Sequence, residues 1–579
     1  MVKGKNRLVL VILCISNFLC MLDTTIMTIV IPKIQSGLNA SLDQVSWAVN
    51  LYAIIFASVT LLAARIAEIY GKNRYLLYGL ILFLIGSIGS GCAPSLGFLY
   101  GSRIIQSLGA TFILPLGTII GMEIVAQQDR NKIVSLVGGC QGFAAAVGPV
   151  TGGLISKYFG WRGVFFINVP FLIGLILLIP FCMNLKHEKK LKNVKIDFLG
   201  AILSIGMMLG LTLGLVQGRQ WHWDSPAIIS LFGLSAICGV GFIITEMKSV
   251  KPMIDLSLFK SRNFDGASLA LAISSFFLGG FVILIPTFLV KFKGLTELQA
   301  AIRILPYSIT VFLAVIIASL LVKKINNRLM ILIGFILIFV SYCFLSKLQV
   351  NLYHRLMIGS ILLGCGYGIV AGPTTVISAA DFKGQRLTSS QSVMNVLRQV
   401  GLVMAIAICM TLLNGNVSSA KQTIQDYGNQ QIAESGLTQQ VKNKLKHKLD
   451  QKIENAQNST DSKVTVKFNP IKIPQSQVER VTNQTVQAIF QKKGLAENKI
   501  PDKIKQAVYH ETYMKVASKF NQQVQQINST IRRIISNVKE KAKSELKRAF
   551  IKVYAQLAPV ALLSCLIVLI LKKGKKEEG

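Results

Sequence analysis

The chain has 579 residues, 52% of them hydrophobic and only 15% charged, with a mean hydropathy of +0.53. That is far more apolar sequence than one soluble core can use, so the composition points to a polytopic membrane protein. The formal net charge of +36 does not point to nucleic acid, because the Lys and Arg lie in short segments between apolar runs and in one late hydrophilic block.

In chain order, apolar runs long enough to cross a bilayer as a helix fall at roughly 8–31, 46–67, 75–93, 97–122, 133–156, 161–183, 197–217, 226–245, 265–290, 298–322, 329–346, 355–378, 392–414 and 553–571, fourteen in all. The first follows Lys3, Lys5 and Arg7 as a secretory signal would. It has the length of a full span and no small-residue cleavage site, so it is expected to be a retained helix. With the N-terminus in the cytoplasm, the basic loops GKNR (71–74), DRNK (129–132), KHEKKLKNVK (186–195) and KKINNR (323–328) and the tail KKGKK (572–576) all fall inside. Both ends are therefore expected to be cytoplasmic, in a plasma-membrane protein.

Asp23 stands inside the first run, which is otherwise free of charge. A bare carboxylate in hydrocarbon costs several kcal/mol, so this side chain must face a polar cavity, hold a partner or take up a proton. A clasp to nearby backbone is the structural alternative. Arg103, in the fourth run, is placed at similar depth by antiparallel helices, with Gln106 one turn further on, and can pair with Asp23 directly or through water. Thr24, Gln106, Arg303 and Arg398 are the residues expected to face a substrate cavity.

At the end of the second run, Glu68 precedes a glycine turn at Gly71 with Lys72 and Arg74. Gly71 permits a tight reversal, and the cations can pair with Glu68 or with the negative end of a neighbouring helix. The stretch is either a conformational latch or an anchoring turn. In the fifth run Gly142, Gly148, Pro149, Gly152 and Gly153 combine small residues near four-residue spacing with a proline. Such a stretch allows close helix approach and a deformable point, as a switching contact or as plain packing.

The block 415–552 carries about 25 basic against 11 acidic residues. It is expected outside the membrane, where long translocated loops escape the charge rule. Val464 to Ile473 alternates in strand fashion, while apolar residues from Ile504 to Phe550 recur mostly at helical spacing and lead towards the last span. A basic surface there could meet anionic lipid headgroups or an anionic envelope polymer, or could simply be solvated.

No GxxxxGK[ST], GxSxG, HExxH or kinase set is present, the ten cysteines form no CxxC pair and the five histidines are scattered. Neither an enzyme, a cofactor nor a metal site is expected. Any uphill transport must then draw on an ion gradient.

The motifs taken together resemble the major facilitator superfamily, and within it the fourteen-span drug:proton antiporters of the QacA/EmrB type. LDTTIMTIVIP (22–32) is similar to the family's first-helix motif, RIAEIYGKNR (65–74) to its loop between spans two and three, RIIQSLGA (103–110) to its fourth-helix arginine motif and GFAAAVGPVTGG (142–153) to its fifth-helix antiporter motif. WRGVFFINVP (161–170) and NVLRQVG (395–401) also look like family signatures. The resemblance implies an all-α polytopic fold in which spans 1–6 (residues 1–185) and spans 9–14 form two six-helix bundles around a central cavity. Spans 7 and 8 (186–250) would be inserted between them; the expected extracellular insertion at 415–552, between residues 251–414 and 553–579, is beyond the family minimum and has no role implied by the resemblance. It implies a secondary exporter of amphipathic or drug-like molecules, with Asp23 as proton site and Arg103 as its modulator. Ala64 and Glu68 stand where the family usually has Gly and Asp. Span ten has Arg303 and no carboxylate, which leaves room for neutral or anionic substrates. Export or flipping of an endogenous metabolite or lipid, and an envelope-binding receptor or scaffold, are the competing readings.

Overall fold

In hydrocarbon no water can satisfy a backbone N–H or C=O, so each long apolar run must satisfy its own, and the helix is the one segment-local solution. The computed structural model describes residues 4–126, 129–185, 197–218, 220–249, 252, 254–322, 324–348, 353–455, 470, 474–492 and 501–572, and among these no strand occurs. The expected strand at 464–473 and the basic loop at 186–195 lie, apart from Pro470, outside the described residues.

The helices are α1 (Gly4–Leu38), α2 (Leu42–Tyr70), α3 (Lys72–Cys92), α4 (Leu96–Glu123), α5 (Arg130–Tyr158), α6 (Gly160–Phe166), α7 (Asn168–Cys182), α8 (Phe198–Gln217) and α9 (Pro226–Lys248). They continue with α10 (Arg262–Lys293), α11 (Glu297–Leu321), α12 (Asn327–Leu345), α13 (Tyr353–Ala380), α14 (Gln385–Ala433), α15 (Gln439–Asn455), α16 (Gln475–Lys492) and α17 (Asp502–Leu563). Among the described residues 13 helices are long and apolar enough to cross a membrane, or 14 when the bent α5 is taken as one span. The bend of 41° separates Lys132–Ala145 from Val147–Tyr158. Pro149 explains it, since it has no N–H for the carbonyl four residues back and its ring crowds that turn.

The sixth span runs over Gly160–Cys182, as expected for 161–183, with one residue, Ile167, between two helical stretches. α6 ends at Phe166 and α7 begins at Asn168. Pro170 cannot donate to the carbonyl of Phe166, which accounts for that single-residue interruption, and Asn168, just past it, is buried.

By internal contacts the chain divides into two units, one of residues 1–414 and 550–579 and the other Gly415–Ala549. In the first, α1 packs on α4, α5 and α7, and α3 on α4. α13 gathers α10, α11 and α12, while α8 and α9 pair with each other and lean on α2. Small residues set the closest approaches. A Cβ on Gly109 would lie 2.5 Å from the carbonyl oxygen of Gly79, and one on Gly366 would lie 2.7 Å from that of Gly334. The α3–α4 and α12–α13 pairs are thus fused backbone to backbone by the same device.

In the Gly415–Ala549 unit, contacts from Asn416 to Ala549 and from Gln431 to Asn537 run α14 antiparallel to α17. α15 joins them through Gln425 and Asp450 (2.7 Å). The apolar seam is Ile424, Leu445, Leu449, Ile531, Ile534 and Val538, all buried, at the three- and four-residue spacing of packed amphipathic helices.

Candidate functional site

Asp23, on α1, is 2% exposed and Arg103, on α4, is 1% exposed. Arg103 Nη1 donates to Asp23 Oδ2 at 2.5 Å and to Gln106 Oε1 at 2.6 Å. Gln106 Nε2 in turn donates to Asp23 Oδ1 and to Ser87 Oγ of α3, each at 2.9 Å. Asn168 Nδ2, at the start of α7, reaches Asp23 Oδ1 at 3.4 Å. Arg103 Nε donates to the carbonyl of Ala48 on α2 at 3.3 Å, and its guanidinium carbon lies 4.5 Å from the centroid of the Tyr52 ring. Five helices therefore meet on the network around one carboxylate and one guanidinium. Two fully buried charges are tolerable here because both Asp23 oxygens and Arg103 Nη1 and Nε have hydrogen-bond partners.

The turn at Gly71 has φ 122°, a region open to glycine and strained for any other residue. The charges around it divide into two ion pairs. Glu68 pairs within its own helix with buried Arg65 at 2.8 Å, whereas Lys72 pairs with Glu123 at the end of α4. Arg74 Nε donates to the carbonyl of Leu185, just past the end of α7, at 2.6 Å. The turn thus ties α3 to the same-side ends of α4 and α7 through two separate contacts, while Glu68 is paired within α2.

The glycines of α5 face two different neighbours. Gly148 and Gly152 lie against Thr25 and Ile26 of α1. Gly138, Gly139, Gly142 and Gly153 lie against Val315, Ile316, Phe312 and Leu298 of α11. α5 is consequently antiparallel to α11 along its whole length while its other face holds α1. A Cβ on Gly142 would sit 3.4 Å from Phe312 Cα, an ordinary contact. Gly142→Ala is therefore expected to keep transport activity, and Gly142→Val to lower the transport rate by roughly tenfold, the equivalent of about 1.4 kcal/mol of overpacking. Initial uptake rates in vesicles check this.

Between α1, α4 and α5 on one side and α10, α11, α13 and α14 on the other is a cavity of about 80 Å³. Its walls are mainly apolar, with Met21, Leu278, Val311 and Met394 beside Tyr307 and Tyr367. Arg398 of α14 lines it; Thr24, Gln106 and Arg303 do not. Thr24 turns its hydroxyl back to the carbonyl of Met21 at 2.7 Å, and Gln106 is taken up by the ion pair. Arg303 lays its guanidinium carbon 5.4 Å from the centre of the Tyr353 ring. Arg398 Nη1 donates to Gln141 Oε1 of α5 at 2.8 Å, and Gln141 Nε2 donates to Asn17 Oδ1 of α1 at 2.8 Å. That chain of side-chain amides links α14 to α1 beside the cavity.

Asn168, Tyr52, Gln141, Asn17 and Arg65 all belong to these networks and escaped the sequence reading. For the amides a signal existed, since Asn17, Gln141 and Asn168 are lone amides inside apolar runs, where a polar group must find a partner.

At the loop that follows α9, Asp255 accepts from Ser257 N at 2.9 Å and from Arg386 Nε at 2.7 Å. Burial alone would raise this carboxyl, but those two donors outweigh it and hold it below the usual carboxylate range. A carboxyl held low contributes stability above its ordinary value of about 4 and loses that contribution as pH falls through the lowered value. Arg386→Gln is expected to lower the melting temperature slightly at neutral pH, for an exposed pair worth ~0.2–1 kcal/mol, with the deficit vanishing in strong acid. Melting curves across pH check it.

The model of the Major Facilitator Superfamily matches residues 13–406. The chain is 26% identical over 397 residues to the multidrug resistance protein Stp of Mycobacterium tuberculosis (strain CDC 1551 / Oshkosh), covering 68% of this chain and 74% of that protein. It is 27% identical over 425 residues to the multidrug transporter protein MdtP of Bacillus subtilis, covering 72% and 78%. With the probable multidrug resistance protein EmrY of Escherichia coli K12 it shares 27% over 409 residues, 70% and 79% of the two chains. A matched segment that takes in most of the apolar helices, and the transporters similar to it, lead to one conclusion: the chain is a multi-pass membrane transporter, not an enzyme, and belongs to the major facilitator superfamily.

Proposed function

We propose that the protein is a secondary active exporter that couples inward proton movement to efflux of amphipathic or drug-like small molecules by alternating access. The observation that carries the reading is the Asp23–Arg103 pair, 2.5 Å apart and sealed among five helices. Protonating Asp23 removes the charge that holds Arg103, and the guanidinium must then find other partners or leave, which reorganises all five helices at once. The α5–α11 contact is the surface on which one half rocks against the other. The multidrug names of the relatives support drug-like cargo. In this reading the protein lies in the plasma membrane with both termini cytoplasmic. The residues 415–552 lie outside, where their basic excess favours anionic lipid headgroups or an anionic envelope polymer.

The test is uptake into inverted proteoliposomes under an imposed pH gradient, with a panel of lipophilic cations, neutral drugs and lipids. Gradient-driven uptake is expected for the wild type and for Asp23→Glu, and its loss for Asp23→Asn. Uptake that Asp23→Asn leaves untouched would remove Asp23 from the coupling role.

A further inference from the structure

We infer that the central cavity is an anion receptor: its preferred cargo is an amphipathic molecule with a compact carboxylate or similar anionic head, bound by Arg398. The inference rests on the exporter reading and names its substrate class.

The first observation is charge. Arg398 is the one charged residue lining the cavity, and no carboxylate lines it among the described residues. The second is an unused donor. Arg398 Nη1 is engaged by Gln141, but its Nε is buried without a hydrogen-bond partner. A buried N–H left unpaired is costly, and a guanidinium offers its donors as a planar fork that suits two acceptor oxygens of one head group. Gln141 Oε1 is a neutral acceptor that meets part of this demand. A cationic head in the same place would face an uncompensated guanidinium with no acid to offset it. The third observation is the wall around the fork, where Met21, Leu278, Val311 and Met394 offer apolar, in part pliable, contacts for a hydrocarbon body.

Position gives the site a further role. An anion that takes Arg398 competes with Gln141 Oε1, the middle member of the chain from α14 through α5 to Asn17 on α1. Cargo binding thus loosens a tie between the two sides of the cavity, as cargo that triggers a conformational change must do through differential contacts.

The test uses the full-length purified protein and three probes with one aromatic body: 2-naphthylacetate, (2-naphthylmethyl)trimethylammonium and 2-naphthalenemethanol. Binding is measured by titration calorimetry for wild type, Arg398→Lys and Arg398→Gln. The carboxylate is expected to bind at least roughly tenfold tighter than the ammonium probe. Arg398→Gln should erase that preference, Arg398→Lys should keep part of it, and the neutral alcohol should bind all three alike, showing that the cavity is intact. Equal or tighter binding of the ammonium probe to wild type, or a carboxylate affinity unchanged in Arg398→Gln, overturns the inference. Vesicles loaded with labelled phosphatidylglycerol separate a lipid source of the anionic head from a free one: lipid transfer lost in Arg398→Gln, with 2-naphthylacetate not bound, overturns the small-molecule assignment. Gradient-driven uptake of the alcohol reports on the exporter reading separately. Uptake without carboxylate preference sinks only the receptor, and carboxylate binding without any driven uptake sinks only the exporter.

Discussion

Arg103→Met is expected to be the most damaging single change in the protein, and its damage should be repaired by a second one. Methionine fills much of the space but leaves the Asp23 carboxylate, 2% exposed, with only Gln106 and Asn168 as partners. Removing one member of a buried pair costs on the order of 3–5 kcal/mol, because the remaining charge stays in low dielectric. Removing both leaves polar and apolar groups that can satisfy one another. The double variant Arg103→Met/Asp23→Asn is therefore expected to regain most of the lost thermal stability while staying inactive in gradient-driven uptake. Asp23→Asn alone should fall between them, since Gln106 can still donate to the amide oxygen and Arg103 keeps Ala48 O and the Tyr52 ring. Melting of the detergent-solubilised protein, followed by size-exclusion fluorescence, measures all three. If the single and double arginine variants melt together, the charges are not compensating each other, and the account of Asp23 as the group whose protonation frees Arg103 loses its basis.

Gly86→Ala is expected to abolish driven transport without touching a charged residue. An added Cβ would lie 2.5 Å from both the backbone nitrogen and the Cβ of Gln106, and 2.6 Å from its Cα. No rotamer relieves a collision with backbone, so α4 must move away from α3, at about 1–3 kcal/mol of overpacking. Gln106 and Arg103 ride on α4, so the displacement lands on the hydrogen bonds around Asp23. Gly101→Ala on α4 is the control: nothing lies within 4 Å of its Cβ position, and activity should be unchanged. Equal activity in the two variants would show that the network tolerates displacement.

The spans were legible because an apolar run of about 20 residues has a single solution in a bilayer, and Asp23 and Arg103 were legible because charges are rare there. Partner choice was not. GKNR beside Glu68 leaves open whether its cations pair with Glu68 or with a neighbouring helix end; Lys72 goes to Glu123 at the end of α4 and Glu68 to Arg65, a choice decided by which helix ends converge. Gly142 and Gly148 share a motif but face α11 and α1 respectively, because a helix in the middle of a bundle shows different neighbours on opposite sides. Asn168 stands inside the sixth apolar run, and apolarity alone does not announce that it meets Asp23 of α1. Arg303 and Arg398 were indistinguishable by depth, and packing put one on a tyrosine ring and the other on the cavity.

The paired seams at Gly79–Gly109 and Gly334–Gly366 act as two keels, rigid timbers on which the working surfaces are hung. Changes along them should register as poor yield of folded protein, and changes on α5, α11 and α14 as altered cargo preference. A genetic selection for new resistance would therefore gather its winners around the cavity and leave the keels nearly unmarked.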